Sequence, residues 1–378
     1  MQSSDSLKIK RGSSALPSAS AAVSDLHQQI AQADAVLTLL FISPHYDLNA
    51  LEQALDGVFS GIVIGCTTAG EITHEGFQEQ TLTGISLAGD AIHAQMQLIE
   101  DLTHFSHKQA QKIGDQLHES NSANEGFDPD RHFALLFIDG LSMREELVVA
   151  LLHNHLDGVP LIGGSAGDGM AFEQTRVFAH GKFHHDAAVL TIVQCDTPFL
   201  PFRLQHFQPT EERLIITESD PLNRRVCEIN GIPATEAYAK AVGVAADQLT
   251  AHTFSRHPTI LRIGNAYYVR SIQKANADGS LTFYSAVEDG LVLHVAEGED
   301  MAKHLKNQLN LLQAEIPNPQ LILTCDCILR RLEAKQTGSD AQIAEALAPY
   351  PVVGFSTYGE QSGAIHVNQT MTGIVLGG

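Results

Sequence analysis

The chain has 378 residues, of which 44% are hydrophobic and 18% are charged, and its 44 acidic and 23 basic residues give a net charge of −21. The length suggests two domains with a substantial core. The negative charge argues against nucleic acid or an anionic membrane as a partner, because binding to either depends on Lys and Arg.

The N-terminal residues 1–24 are rich in Ser and Ala and contain Lys8, Lys10 and Arg11. They lack the apolar stretch of a secretory signal, so we expect a disordered N-terminal arm over 1–24. No run of about 18 apolar residues predicts a transmembrane helix. The five cysteines are odd in number and stand mostly in apolar runs, which is typical of reduced thiols. These features predict a cytoplasmic protein.

Three segments repeat one order of elements: a buried strand, a helix, a short strand ending in a Gly-rich turn with Asp or Glu, and a further strand. Their first strands and their Gly-rich segments are 35–43 and 61–71, 133–140 and 159–168, and 321–328 and 351–360. Apolar runs without alternation are typical of strands covered on both faces. The pattern predicts an α/β (mixed α+β) fold with repeated βαβ-like units and mixed sheets.

A long insertion separates the second copy from the third. Residues 259–295 alternate between polar and apolar side chains, with turns at 264–265, 278–279 and 289–290, which predicts an antiparallel meander of about four strands. We expect an N-terminal domain over 25–213 and a C-terminal domain over 214–378 that contains the meander and the third copy.

The repeated turns place Glu71, Asp168 and Glu360 at the ends of buried strands, beside Ser and Thr residues. Ligands bind at strand ends in α/β sheets, so these carboxylates can line a polar pocket. The other interpretation is structural, with Gly supplying positive φ and the acid capping a nearby N–H. No nucleophile elbow or phosphate loop is present, and we do not expect an enzyme.

Three histidines are candidates for binding the iron of haem: His257, His294 and His366. His257 is the first choice, because the residues around it supply the cations and rings that a haem pocket uses. These residues are Arg256, Arg262, Tyr268 and Arg270. Without a Cys-x-x-Cys-His motif, the haem b would be held non-covalently. Each of these histidines can instead be a hydrogen-bonded structural residue.

The segments Gly65–Ile72, Gly163–Asp168 and Gly354–Glu360 together resemble the FIST family of sensory proteins, with FIST N and FIST C domains from about residue 33 onward. Within that family, the stretches 257–265 and 366–370 resemble the NosP group of bacterial nitric-oxide-sensing haem proteins. The resemblance implies a haem-binding sensor of nitric oxide that acts in trans on a histidine kinase and affects cyclic-di-GMP signalling and biofilm behaviour. It does not identify the iron ligand.

Two hypotheses remain open from the sequence. In the first, haem on a neutral histidine binds nitric oxide, and the change in iron ligation alters a kinase-binding surface. In the second, the protein is a haem-free FIST sensor that binds a small organic ligand such as an amino acid near Glu71, Asp168 and Glu360. Self-association is expected in either case.

Overall fold

A computed structural model describes residues 7–120 and 126–377. Three six-stranded sheets form a ring, and an antiparallel sheet is inserted within the third repeat. The predicted mixed α/β class with repeated units is therefore confirmed. Across the described ranges, no helix has the length and apolar character needed to span a bilayer.

Each copy in the ring has the order strand, helix, strand, helix or helix pair, strand, hairpin and strand. Copy 1 comprises β1 (Lys8–Ser14), α1 (Ala19–Ile30), β2 (Ala35–Ile42), α2 (Leu48–Leu55), β3 (Ile62–Thr67), β4 (Glu71–Thr73), β5 (Gly76–Gln78) and β6 (Leu82–Ala88). Copy 2 comprises β7 (Ile92–Glu100), α3 (His107–Ser120), β8 (His132–Ile138), α4 (Glu145–His153), β9 (Leu161–Ser165), β10 (Val177–Ala179), β11 (Lys182–His184) and β12 (Ala187–Cys195).

Copy 3 begins before the insertion and resumes after it. The insertion comprises β14 (Phe207–Asp220), β15 (Arg225–Ile229), β16 (Ile232–Pro233), α5 (Ala234–Val242), α6 (Ala251–Arg256), β17 (Thr259–Ile263), β18 (Ala266–Arg270), β19 (Ile272–Ala275), β20 (Leu281–Phe283) and β21 (Val292–Gly298). Copy 3 itself comprises β13 (Phe199–Leu204), α7 (Met301–Glu315), β22 (Pro319–Cys327), α8 (Ile328–Thr337), α9 (Asp340–Leu347), β23 (Val352–Thr357), β24 (Glu360–Ser362), β25 (Ile365–Val367) and β26 (Met371–Gly377).

The three copies close into a ring by exchanging hairpins. In each copy two strands pair in parallel across a helical crossover, namely β2 with β3, β8 with β9, and β22 with β23. The hairpin of the next copy then extends each sheet: β10–β11 joins the sheet of copy 1, β24–β25 that of copy 2, and β4–β5 that of copy 3. Two of the three sheets, those of copies 2 and 3, therefore contain strands from both sides of the domain boundary that the sequence predicts.

The centre of the ring is an aromatic cluster with one ring from each copy. Phe41 stacks on Phe355 with centroids 4.7 Å apart, and Phe137 meets the two rings edge-on at 5.9 and 5.7 Å. Gly164 leaves room for this cluster, since a Cβ there would lie 2.7 Å from Phe355 Cζ. Helices cover the outer faces: α1 and α2 on the first sheet, α3 and α4 on the second, and α7 and α9 on the third.

The inserted sheet is antiparallel but is not the simple meander that the turn signals predict. Its strand order is β18-β17-β21-β14-β15-β20-β19, so β21 pairs with β14 and β17 although it follows β20 in the chain. The turn at 289–290 therefore redirects the chain without forming a hairpin. The expected boundary at 213/214 falls inside β14, whose first half, Gln208–Arg213, is too polar to be recognised as a strand.

The N-terminal arm, expected to be disordered over 1–24, is largely ordered. Residues 1–6 lie outside the described residues, but β1 pairs with β6 over seven positions, and Ser18 caps α1 by accepting a hydrogen bond from the Ala21 N–H at 3.3 Å. An edge strand is stabilised by backbone hydrogen bonds, and in β1 only Ser14 is buried. Because the sequence of β1 is mostly polar, it did not predict a strand.

Candidate functional site

Three equivalent junctions lie where a hairpin from one copy meets the parallel strands of another. At each junction the carboxyl ends of two parallel strands face the start of a crossover helix, which is where ligands bind in α/β sheets. The crossover helices are α2, α4 and α8. Glu71 and Glu360 are the first residues of β4 and β24, directly after the Gly-rich turns, and Asp168 lies in the loop that follows β9.

Glu71 and Glu360 occupy matching cages of two threonines. Glu360 accepts hydrogen bonds from Thr357 Oγ1 at 2.6 Å and from the N–H and Oγ1 of Thr370 at 3.2 and 2.6 Å. Glu71 accepts from Thr68 Oγ1 and from the N–H and Oγ1 of Thr81 at 3.2 and 2.6 Å. Burial raises the pKa of Glu71 to about 7 and that of Glu360 to about 8. Copies 1 and 3 therefore share the same hydrogen bonds between a glutamate and two threonines, as well as the same order of elements.

Asp168 has a different environment from the two glutamates. It accepts hydrogen bonds from the N–H groups of Phe172, Glu173 and Gln174 at 2.9, 2.8 and 2.7 Å, and from the Tyr358 hydroxyl. Burial opposes ionisation, but these hydrogen bonds outweigh it and lower the pKa of Asp168. Asp168 lines a cavity of about 800 Å³, whereas Glu71 and Glu360 are fully buried in their cages. The structure does not bring the three carboxylates into one pocket.

The 800 Å³ cavity is the junction between copies 1 and 2, and we call it the junction cavity. It lies beyond the carboxyl ends of β2 and β3 and beside the start of α2 and the β10–β11 hairpin. Its wall carries charged side chains of both signs, among them Asp47, Glu52, Glu173 and Arg176. Within the described ranges, none of these four side chains forms an ion pair. The Arg176 guanidinium donates from Nη1 to the Thr175 carbonyl at 2.7 Å.

The other two junctions are occupied by protein. Between copies 3 and 1, Arg331 donates from Nη2 to the Gln78 carbonyl at 2.9 Å and pairs with Glu79 at 3.0 Å, and its guanidinium packs against Gly70. Between copies 2 and 3, the inserted sheet covers the start of α4. The junction cavity is therefore the open member of the three.

The predicted haem residues do not form one pocket. In the register of β17 and β18, Arg270 lies opposite Thr259 and Tyr268 opposite Leu261, on one face of the sheet. Arg262 lies opposite Tyr267, on the other face, where His294 pairs with Ile260. Arg256 is exposed at the end of α6. A single macrocycle cannot contact both faces of the strand pair, so the set as a whole does not fit haem.

The three histidines have separate environments. His257 is half-buried beyond the end of α6, and burial together with Arg256 lowers its pKa. His294 Nδ1 lies 3.3 Å from the Thr210 carbonyl oxygen. His366 is buried against Gly359, where a Cβ would lie 2.6 Å from Nε2, and burial lowers its pKa to about 4. Of these three histidines, only His257 has a side chain for which the described residues supply no hydrogen-bond partner.

Sequence reasoning missed a polar interface between the ring and the inserted sheet, which we call the seam. Arg224 of the insertion donates to Glu145 and Glu146 at the start of α4 at 2.8 and 2.7 Å. Arg270 donates to the His366 carbonyl at 3.4 Å. The stretch 366–370, recognisable in the sequence, borders this interface. Arg224 and Glu145 are 79 residues apart, so no local sequence motif predicts their ion pair.

No metal centre is found in the part of the chain that the structure describes, where no three His, Cys, Asp or Glu side chains are grouped to hold an ion. The cysteines are free, and four of the five are buried.

A ring of three hairpin-exchanging α/β repeats with an inserted antiparallel sheet defines the architecture. The FIST N domain profile matches residues 36–232 and the FIST C domain profile matches residues 234–363, so the chain belongs to the FIST family of sensory signalling proteins. It is also similar to an uncharacterized protein of Methanocaldococcus jannaschii, with 21% identity over 379 residues covering 89% of this chain and 73% of the relative. The two profiles meet within the insertion, 20 residues beyond the expected boundary.

Proposed function

We propose that this FIST protein is a receptor, and not an enzyme, that binds a small organic ligand carrying both charges, such as an amino acid, in the junction cavity. The open cavity at the ends of β2 and β3 carries this proposal, since its equivalents are filled by Arg331 and by the inserted sheet. Arg176 would bind a carboxylate, and Glu52 and Glu173 would attract an ammonium group.

Transmission from the cavity would use Asp168. Its backbone and carboxylate both bond to Tyr358 of copy 3, which connects the cavity wall to the part of the ring that carries the insertion. We propose that the reader of this change is a histidine kinase on a separate chain, within a cytoplasmic pathway. Self-association of the receptor remains a prediction.

The test is a thermal-shift screen of the individual amino acids against wild type, Arg176→Met and the exposed control Arg213→Met. A ligand that binds only the folded state raises Tm. We expect at least one amino acid to raise Tm in wild type and in Arg213→Met, but not in Arg176→Met. An equal response in Arg176→Met, or no response in wild type, would contradict the proposal.

A second candidate function is haem-based sensing of nitric oxide, and His257 is the observation that favours it. An iron ligand must be a neutral imidazole with a free nitrogen, which His257 provides. Haem b would supply the iron that binds nitric oxide. In this function the receptor would alter kinase autophosphorylation and, through it, cyclic-di-GMP signalling and biofilm behaviour.

Absorption spectra of protein expressed with a haem precursor, in the ferric, ferrous and nitric-oxide-treated ferrous forms, distinguish this candidate from the first. A Soret band that persists through gel filtration and is lost only in His257→Ala, among His257→Ala, His294→Ala and His366→Ala, would support it. A colourless wild type would rule it out. Addition of the receptor to a purified kinase, with and without ligand, then measures the effect on autophosphorylation.

A further inference from the structure

The seam contains buried polar atoms that lack hydrogen-bond partners, and it lies apart from the junction cavity. Asn368 is fully buried, and neither its Nδ2 nor its Oδ1 has a partner among the described residues. The same is true of Gln361 Oε1, Arg270 Nε and Ser285 Oγ. A buried polar atom without a partner costs about 1 to 3 kcal/mol, so several of them in one interface need a physical explanation.

These atoms come from both sides of the seam. Asn368 Nδ2 and His366 Nε2 flank the same point on Gly359, at 3.1 and 2.6 Å from the position that a Cβ would occupy. Gln361 Nε2 lies 3.4 Å from His366 Nδ1 and donates to Ser165 Oγ at 3.0 Å. On the opposite side, Arg270 reaches the His366 carbonyl, and Ser285 directly precedes Ala286, whose N–H donates to Glu146 at 2.7 Å.

The seam contains two acidic and two basic side chains. Glu145 and Glu146 face Arg224 and Arg270, with His366 between them. Burial raises the pKa of Glu145 to about 7 and lowers that of His366 to about 4, so neither group carries a full charge near pH 7. A carboxylate ligand offers only acceptors and would face the unpartnered oxygens of Asn368 and Gln361, whereas a cation offers only donors and would face Arg270. An uncharged ligand with both a donor and an acceptor meets neither conflict.

The unpartnered atoms also determine which hydrogen-bond donors and acceptors a ligand of the seam must supply. Asn368 offers an N–H donor and a carbonyl acceptor on one amide edge, Gln361 offers an acceptor, Arg270 a donor and Ser285 either. A carboxamide presents one donor and one acceptor side by side, and it can pair with the amide edge of Asn368 through two hydrogen bonds.

We propose that the seam is a second ligand site, distinct from the junction cavity, and that it takes a small uncharged molecule bearing a primary carboxamide or urea group. The insertion has its own apolar core, separate from those of the ring, so the two parts can move relative to each other about their connections. The ring and the insertion are joined where the Glu299 N–H donates to the His206 carbonyl at 2.7 Å. Entry of the ligand would require the two parts to separate at the seam.

The experiment compares acetamide with its charged isostere acetate at equal concentration and ionic strength, with Tm as the measurement. The variants are Asn368→Leu, which removes the amide at similar volume, Ser285→Ala, which deletes one unpartnered hydroxyl, and Asn307→Leu, an exposed control on α7. We expect acetamide, but not acetate, to raise Tm of wild type and of Asn307→Leu. The response should disappear in Asn368→Leu and be smaller in Ser285→Ala.

Asn368→Leu is expected to fold, because replacing an unpartnered buried amide by an apolar side chain removes its desolvation cost. Should it fail to fold, Ser285→Ala decides the outcome. An equal response to acetate, a full response in Asn368→Leu or in Ser285→Ala, or no response in wild type would overturn the proposal, and the unpartnered atoms would then bind water only. Arg176→Met must keep the acetamide response, which separates this site from the amino-acid site.

Discussion

The two glutamate cages predict an unusual dependence of stability on pH. Glu71 and Glu360 are held by threonines in the same geometry, and burial raises their pKa values to about 7 and about 8 from the ordinary 4.5. The perturbations that test this are Glu71→Gln and Glu360→Gln, since the amide has the shape of the protonated acid and cannot ionise. Glu315→Gln, at an exposed position on α7, is the matched control.

The sign follows from proton linkage. Between pH 4.5 and the folded-state pKa, the unfolded chain has released the proton while the folded chain retains it, so the free energy of unfolding falls as pH rises. Each group contributes a slope of about 1.4 kcal/mol per pH unit. The total is about 3 kcal/mol for Glu71 and about 5 kcal/mol for Glu360, with the loss complete above the respective folded pKa.

Urea unfolding of wild type and the three variants at pH 5, 6, 7 and 8 measures these slopes. We expect wild type to lose stability steadily from pH 5 to 7, each cage variant to lose less, and Glu315→Gln to follow wild type. From pH 7 to 8 the slope should be smaller in Glu360→Gln than in wild type, because the pKa of Glu360 is about 8 whereas that of Glu71 is about 7. If both cage variants lose stability as steeply as wild type, the cages hold ionised carboxylates and the reasoning from burial is wrong.

Three further changes test the architecture. Gly164→Ala places a methyl group 2.7 Å from Phe355 Cζ and should lower the free energy of unfolding by about 1 to 3 kcal/mol. The double variant with Phe355→Leu should recover part of this loss. If urea denaturation shows no loss in Gly164→Ala, the central contact is contradicted. Arg224→Ala leaves Glu145 buried without its partner and should lower the free energy of unfolding by about 3 to 5 kcal/mol. Hydrogen exchange in α4 should become faster, and unchanged exchange there refutes the role of the pair. Deletion of residues 1–14 removes β1 and exposes the edge of β6, so Tm should fall and light scattering should rise; a truncated protein with wild-type Tm would show that β1 contributes nothing.

The internal repeat was accessible from the sequence because each copy ends its second buried strand in a similar Gly-rich turn. The glutamate cages also leave a signal, since Glu71 and Thr81 are separated by ten residues, as are Glu360 and Thr370. That spacing identifies the cage partners once the copies are aligned. These features are readable because they depend on residues close together in the chain.

The hairpin exchange was not accessible from the sequence. A short hairpin such as β10–β11 shows the same alternation whether it extends the sheet of its own copy or that of another copy. The seam was hidden for a related reason, because its ion pairs join residues far apart in sequence. The haem residues were grouped by proximity in the chain, and strand pleating then placed Tyr268 and Arg262 on opposite faces.

The exchange of hairpins has a consequence for how the protein is made. The β4–β5 hairpin is synthesised early, yet its sheet partner β23 follows about 280 residues later, as the pairing of Thr73 with Val353 shows. Contacts this distant in sequence slow folding, because the chain must close a long loop before they form. The nascent N-terminal half therefore emerges from the ribosome with an incomplete ring, and its exposed strand edges need protection from aggregation until the third repeat is translated.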